Sequence, residues 1–318
     1  MKEFIIQKNE ADQRFDKYLR KRLPLAGSGF IYKMLRKKNI TLNHKKADGS
    51  EKIHEKDVVD FFLSDETFDR FTASSTVSDF PEIDRNKMPF QILYETEDIL
   101  VINKPAGMLS QKASPQDISA NELIISYLLA EHAITAKDME TFHPSVCNRL
   151  DRNTSGILIA GKTLFGLQKM SHDLNTREIE KYYRCIVRGR VEHSIRIEGF
   201  LQKNEKNNTV TISQHPVPNA KKIVTEYRPI SIFDQFTLLE VHLITGRTHQ
   251  IRAHLASVHH PILGDTKYGD PVLNRHLKVK TGITHQLLHA YRLKLQDGKE
   301  ITAPLPDYFE KAMNCDLT

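Results

Sequence analysis

The residues best suited to chemistry lie in "NRLDRNTSGILIAGKT", residues 148–163, where Arg149 and Asp151 stand two apart in a polar turn ahead of an apolar run. A carboxylate near an arginine is held ionised, and an ionised carboxylate can act as nucleophile or general base. The same stretch satisfies G-x-x-x-x-G-K-[ST] from Gly156 to Thr163, the pattern of a loop that binds nucleotide phosphates. The two readings need different backbones. A phosphate loop curls its N–H groups around an anion, yet the residues between the glycines are Ile157, Leu158, Ile159 and Ala160. Four apolar residues, two of them β-branched, suit a buried strand, and the polar residues upstream supply no preceding strand. The expectation is a strand between Gly156 and Gly161, with Thr163 capping the helix that follows. Taken alone, Asp151 before Asn-Thr-Ser-Gly is an ordinary turn residue, so its chemistry depends on its company.

His242, His249, His254, His259 and His260 have the look of a metal cluster. His249 and His254 are five apart, off the i, i+4 spacing of one helix face, and no H-E-x-x-H occurs. Structural histidines are expected, and no metal site. The three cysteines, Cys147, Cys185 and Cys315, are far apart and form no C-x-x-C. That suits a reducing compartment, and a cytoplasmic protein is the expectation. Hydrophobic residues are 39% and charged residues 27% of 318, as in soluble globular proteins. No apolar run approaches the roughly 18 residues of a membrane span, and the opening MKEFIIQKNE does not read as a signal peptide.

The elements that must position Asp151 follow from periodicity. Strands are expected at 99–102, 157–160, 183–187, 223–227 and 236–244, and helices at 121–131, 164–174 and 248–258. Tyr183, Cys185 and Val187 alternate with Arg184, Ile186 and Arg188, which predicts one buried face and one wet face. Strands joined directly or by long excursions favour an α+β fold with a mainly antiparallel mixed sheet. Ahead of this body sits a small basic unit. Phe15, Tyr18, Leu19 and Leu23, then Phe30, Ile31, Met34 and Leu35, predict two short helices, followed by strands at 40–42 and 58–63. The net charge is +6, but residues 14–46 hold eleven Lys/Arg against the single Asp16, so the rest of the chain is mildly acidic. Lys33, Arg36, Lys37, Lys38, Lys45 and Lys46 fall outside the apolar stripe and are candidate polyanion contacts. The divisions expected are a small N-terminal α/β domain at 1–63, a linker at 64–87, a main domain at 88–310 and a tail at 311–318.

With these residues in hand, the chain resembles the RluA-type RNA pseudouridine synthases. The segment 148–163 is similar to their H-R-L-D-x-x-T-S-G signature, with Asn148 in the place of the His. In the same order come "VINKPAGM" (101–108), "KYYRCIVRG" (181–189), "LITGRTHQIRAHLASVHHPILGDTKYG" (243–269) and "LLHAYRLKL" (287–295). Together they span about residues 88–310. The basic N-terminal unit resembles the alpha-L RNA-binding domain of a small-subunit ribosomal protein.

The resemblance implies an isomerase that turns specific uridines of RNA into pseudouridines with no cofactor. It implies that Asp151 is the essential carboxylate, by attack on C1′ or removal of the ribose 2′ proton. It also implies that Arg252 pairs with Asp151, that Tyr183 stacks on the uracil, and that Arg149 fills the gap left by a flipped base. Arg247 and His249 are expected to shape the substrate pocket. The expected partner is RNA, foremost 23S-type large-subunit ribosomal RNA, with transfer RNA as the alternative target, no membrane, and a monomeric state. Two rival readings are a non-catalytic RNA-binding assembly factor and a phosphate-loop hydrolase.

Overall fold

The computed structural model describes residues 1–72, 80–81, 83 and 88–316. The apolar stripe of the first residues builds the N-terminal unit. Phe15, Tyr18 and Leu19 are fully buried on α1 (Phe15–Arg22), and Ile31, Met34 and Leu35 are buried on α2 (Ser28–Arg36). Both helices belong to one core with an antiparallel sheet of β1 (Lys2–Ile5), β2 (Ile40–Leu42), β3 (Lys45–Lys46) and β4 (Val58–Phe61), in spatial order β1-β4-β2-β3. The unit runs past residue 63. A further helix, α3 (Asp65–Phe71), is capped by Ser64 and stacks Phe68 on Phe4 and tilts Phe71 against Phe30. The linker expected from residue 64 therefore begins no earlier than 72. Seven residues are too few for a helical period to show among Ser, Asp and Thr. Most of the remaining linker, 73–87, lies outside the described residues.

The body is an eleven-stranded sheet. Its strands are β5 (Gln91–Glu95), β6 (Ile99–Lys104), β7 (Ser145–Val146), β8 (Ser155–Gly161), β9 (Glu180–Arg188), β10 (Ile195–Asn204), β11 (Thr209–Ser213), β12 (Lys221–Ile232), β13 (Phe236–Leu243), β14 (Leu288–Lys294) and β15 (Glu300–Thr302). Its helices are α4 (Ala120–Ala130), α5 (Leu164–Thr176), α6 (Gln250–Ser257), α7 (Pro271–Thr281) and α8 (Asp307–Met313). Along the sheet the order is β11-β10-β12-β13-β9-β14-β8-β6-β5, with β15 beside β14 and β7 beside β8. Every pairing is antiparallel except β8 with β14. This is the α+β, mainly antiparallel mixed sheet that the pattern predicted.

The apolar run 157–160 is a strand because both faces of β8 are covered. Leu158 and Ala160 share a core with Ile124 and Leu128 of α4. Ile157 and Ile159 share another with Met170 of α5. A strand buried on both sides reads as continuous rather than alternating hydrophobicity. On β9 the alternation is incomplete, since Ile186, expected on the wet face, is fully buried. Helix α8 crosses the boundary expected at 310 and buries Phe309 and Ala312, so residues 311–313 belong to the body rather than to a tail.

The unit and the body meet through polar contacts. Buried Arg22 donates to Glu140, Thr141 Oγ1 donates to Glu10 Oε1 at 2.6 Å, and the amide of Leu164 donates to Asn9 Oδ1 at 2.6 Å. Among the described residues no helix is long and apolar enough to cross a membrane.

Candidate active site

The phosphate-loop reading has no backbone to support it, because Gly156–Gly161 is extended within β8. Lys162 instead donates to Glu95 Oε1 at 2.6 Å and to the carbonyl of Thr96 at 2.8 Å. Thr163 is the N-cap of α5, its hydroxyl accepting from the amide of Gly166.

The turn that carries Asp151 is braced on every side. Asn148 accepts from the amide of Ile159 at 2.8 Å and donates to the carbonyl of Ile157 at 3.3 Å, so its carboxamide continues the ladder of β8. Ser110 Oγ accepts from the amide of Leu150 and donates to the carbonyl of the same residue. The amide of Thr154 donates to the carbonyl of Asp151 at 3.0 Å, and Gln286 donates to Thr154 Oγ1 at 3.2 Å. The carbonyl of Arg152 accepts from the amide of Gly107 at 2.9 Å and from Lys104 Nζ at 3.1 Å. Lys104 is fully buried and also donates to the carbonyls of Pro105 and Met108. Burial pushes its pKa down to about 7, while the charge of Asp151 pulls the other way.

Across the cleft stands Arg252, on α6 and 5% exposed. Its Nη1 donates to Asp151 Oδ2 at 2.8 Å, while Nε and Nη2 grip Asp265 in a fork at 2.6 and 2.9 Å. Burial disfavours the charged guanidinium, but the hydrogen bonds and charges of Asp265 and Asp151 outweigh it and raise its pKa. Burial would raise the pKa of Asp265, and Arg252 outweighs that and lowers it. The planar fork thus commits two donors to a buried carboxylate and presents the third to Asp151 in fixed geometry. His249 Nδ1 lies 2.9 Å from the hydroxyl of Tyr268, and its Nε2 is 3.9 Å from Asp151 Oδ1. Burial lowers the pKa of His249, while the charge of Asp151 pulls the other way. Burial, reinforced by Asp151, raises the pKa of Tyr183 and keeps its phenol protonated.

All six residues expected at the site line one cleft of about 770 Å3: Arg149, Asp151, Tyr183, Arg247, His249 and Arg252. Nine Lys/Arg line it against one acid, Asp151, which makes it a receptacle for a polyanion. The N-terminal cations are not part of this cleft. Lys33, Arg36, Lys37, Lys38, Lys45 and Lys46 are exposed on the separate unit, and none has an ion-pair partner among the described residues. The other histidines scatter: His242 stacks on Tyr182, His254 Nδ1 lies 2.9 Å from Thr225 Oγ1, and His260 Nδ1 lies 3.0 Å from the carbonyl of Arg188. Lys104 and Asp265 were inside the quoted motifs but gained no role there. Ser110 and Gln286 had no signal in the sequence, since a lone polar letter does not reveal that it is buried.

The chain is similar to known proteins along most of its length. The RNA pseudouridylate synthase family model matches residues 98–257. An uncharacterized RNA pseudouridine synthase of Mycoplasma genitalium is 32% identical, covering 93% of this chain and 90% of that one. The ribosomal large subunit pseudouridine synthase C of Vibrio vulnificus is 31% identical, covering 97% and 94%. Human RNA pseudouridylate synthase domain containing 4 shares the fold at a TM-score of 0.57 and 22% identity, covering 70% of this chain and 91% of that one. The chain belongs to the RNA pseudouridylate synthase family, isomerases that act on RNA.

Proposed function

We propose that this chain converts specific uridines of large-subunit ribosomal RNA to pseudouridine, with Asp151 as the essential carboxylate. The observation that carries the reading is the Asp151–Arg252 ion pair, 2.8 Å long, set in a cleft of otherwise cationic charge. The reaction breaks the C1′–N1 bond, turns the uracil, forms a C1′–C5 bond and moves one proton from C5 to N1. A stacked uridine hides both C1′ and C5, so the base must leave its stack. Arg149, exposed at the rim, fills the vacated place, and buried Tyr183 supplies an aromatic platform beneath the extruded uracil. Asp151 then attacks C1′ or takes the 2′ proton, with its carboxylate oriented for either step by the hydrogen bond from Arg252. His249 adds an imidazole beside the carboxylate, and exposed Arg247 shapes the rim.

Two observations favour ribosomal RNA. The full-length relative from Vibrio vulnificus is named for the large ribosomal subunit. The unpaired cations of the N-terminal unit suit the closely spaced phosphates of a structured RNA. The test is pseudouridine mapping of total RNA from cells with and without the gene, rescued by wild type or Asp151→Asn. Sites in large-subunit RNA vanish without the gene and return only with wild type. Loss of the carboxylate cuts product formation at least ~10³-fold, in the range of positioned acid–base groups. Vanishing sites confined to transfer RNA would reassign the target, and rescue by Asp151→Asn would remove Asp151 from the mechanism.

A further inference from the structure

Lys181 and Arg177 are two of the cleft's cations that this scheme leaves unused. Lys181 is two residues before Tyr183 on β9, so both side chains leave the same face of the sheet. Lys181 is half-buried, and a Cβ added at Gly246 would come within 4.0 Å of its Nζ, which places the ammonium over the turn that leads into α6. Burial and the neighbouring charge of Arg177 both lower its pKa. Arg177 ends α5 in the left-handed region at φ 66°, where glycine is the usual and less strained choice. Among the described residues neither side chain has a hydrogen-bond or ion-pair partner, and Asp151, the only acid of the lining, is engaged by Arg252. Lys181, half-buried, thus feels the charge of exposed Arg177 with no carboxylate of the chain to offset it. An anion of the ligand would supply the missing opposite charge.

We propose that Lys181 and Arg177 form a phosphate-binding corner that takes the phosphodiester flanking the extruded uridine. The proposal rests on the cleft being the uridine site. The corner fixes the ribose–phosphate chain beside the pocket, so that the sugar of the target is presented to Asp151 while the base turns. Lys181 touches the backbone of the substrate and not the reacting atoms.

The experiment uses the full chain, a short oligouridylate for binding across a salt series, and a large-subunit RNA transcript for activity. Lys181→Met and Arg177→Gly each flatten the slope of log K against log salt by about 0.7, the value for one phosphate of a single strand. KM rises more than kcat falls, and Lys181→Arg retains the wild-type slope. Arg177→Gly also raises Tm, because glycine relieves the left-handed position, so its weaker binding cannot come from misfolding. Neutral methylphosphonates placed one at a time find a position whose neutralisation weakens wild type but not Lys181→Met. Unchanged slopes in both variants, or methylphosphonates that weaken wild type and Lys181→Met alike at every position, overturn the corner. Asp151→Asn keeps these two failures apart. If it binds with the wild-type slope and makes no product, the uridine site stands whatever becomes of the corner. If it makes product, the reading of the site itself fails.

Discussion

At the scale of single residues, the site is organised by donors that cannot be traded. Arg252 spends two of its N–H groups on Asp265 and one on Asp151, so the same side chain is both a buried structural partner and the neighbour of the carboxylate. Lys104 does the corresponding work under the Asp151 turn. Its three carbonyl partners match the three N–H bonds of an ammonium, and a neutral amine would leave one carbonyl unserved. Burial lowers its pKa to about 7 from the ordinary 10.5, and the charge of Asp151 opposes that shift. The brace therefore loosens as pH rises through about 7. We expect kcat to decline there with the loss of one proton, and Lys104→Met to have a low kcat without that alkaline limb. The stability of the fold moves the other way. Between about 7 and 10.5 the unfolded chain holds the proton and the folded chain has given it up, so stability rises with pH. A pH–rate profile and a pH series of denaturant unfolding, run on both proteins, check the opposed signs. An alkaline limb that persists in Lys104→Met would assign it to another group. The pairing of Asp151 with Arg252, 101 residues away, was legible through motif resemblance. Asp265, Ser110 and Lys104 were not, because their roles come from burial and from partners distant in the chain.

At the scale of elements, legibility followed how much apolar surface an element buries. Strand β8 and helix α5 were read to within a few residues, since both carry dense apolar patterns and Thr163 marks the boundary between them. Helix α7 was not, although Asp270 caps it, Pro271 opens it and Gly282 closes it. Only Leu277 and Thr281 of that helix are buried, so no stripe shows. Gly156 is a sharper case. It belongs to the motif, but its reason lies in the parallel pairing of β8 with β14. Its φ is +107°, and a Cβ there would stand 2.1 Å from the carbonyl oxygen of Ala290. Gly156→Ala cannot relax without parting the two strands. We expect it to cost about 2–4 kcal/mol and to lower the thermal midpoint accordingly. Calorimetry of the purified variant measures this, and an unchanged midpoint would mean that the two strands are not held at this spacing.

At the scale of the whole molecule, two cationic regions sit on one chain: an open one on the N-terminal unit and a concave one on the body. Asn9 accepts from the amide of Leu164 at the start of α5, while Leu174, Asn175 and Arg177 at its other end line the cleft. A helix of thirteen residues, about 20 Å long, thus separates the docked unit from the cleft. Replacing Lys33, Arg36, Lys37, Lys38, Lys45 and Lys46 with Gln should flatten the salt dependence of binding by about 0.7–0.9 for each phosphate that these cations neutralise. It should lower kcat/KM on a structured ribosomal transcript and leave kcat at saturation near wild type. An equal fall in kcat would place these residues in the chemistry rather than in capture.

The position of β14 has a further consequence. It is inserted between β8, which follows Asp151, and β9, which bears Tyr183, and no other strand among the described residues joins those two halves of the sheet. β14 follows both halves in the chain order, so it is the strand that brings the half bearing the carboxylate beside the half bearing the tyrosine and the arginine.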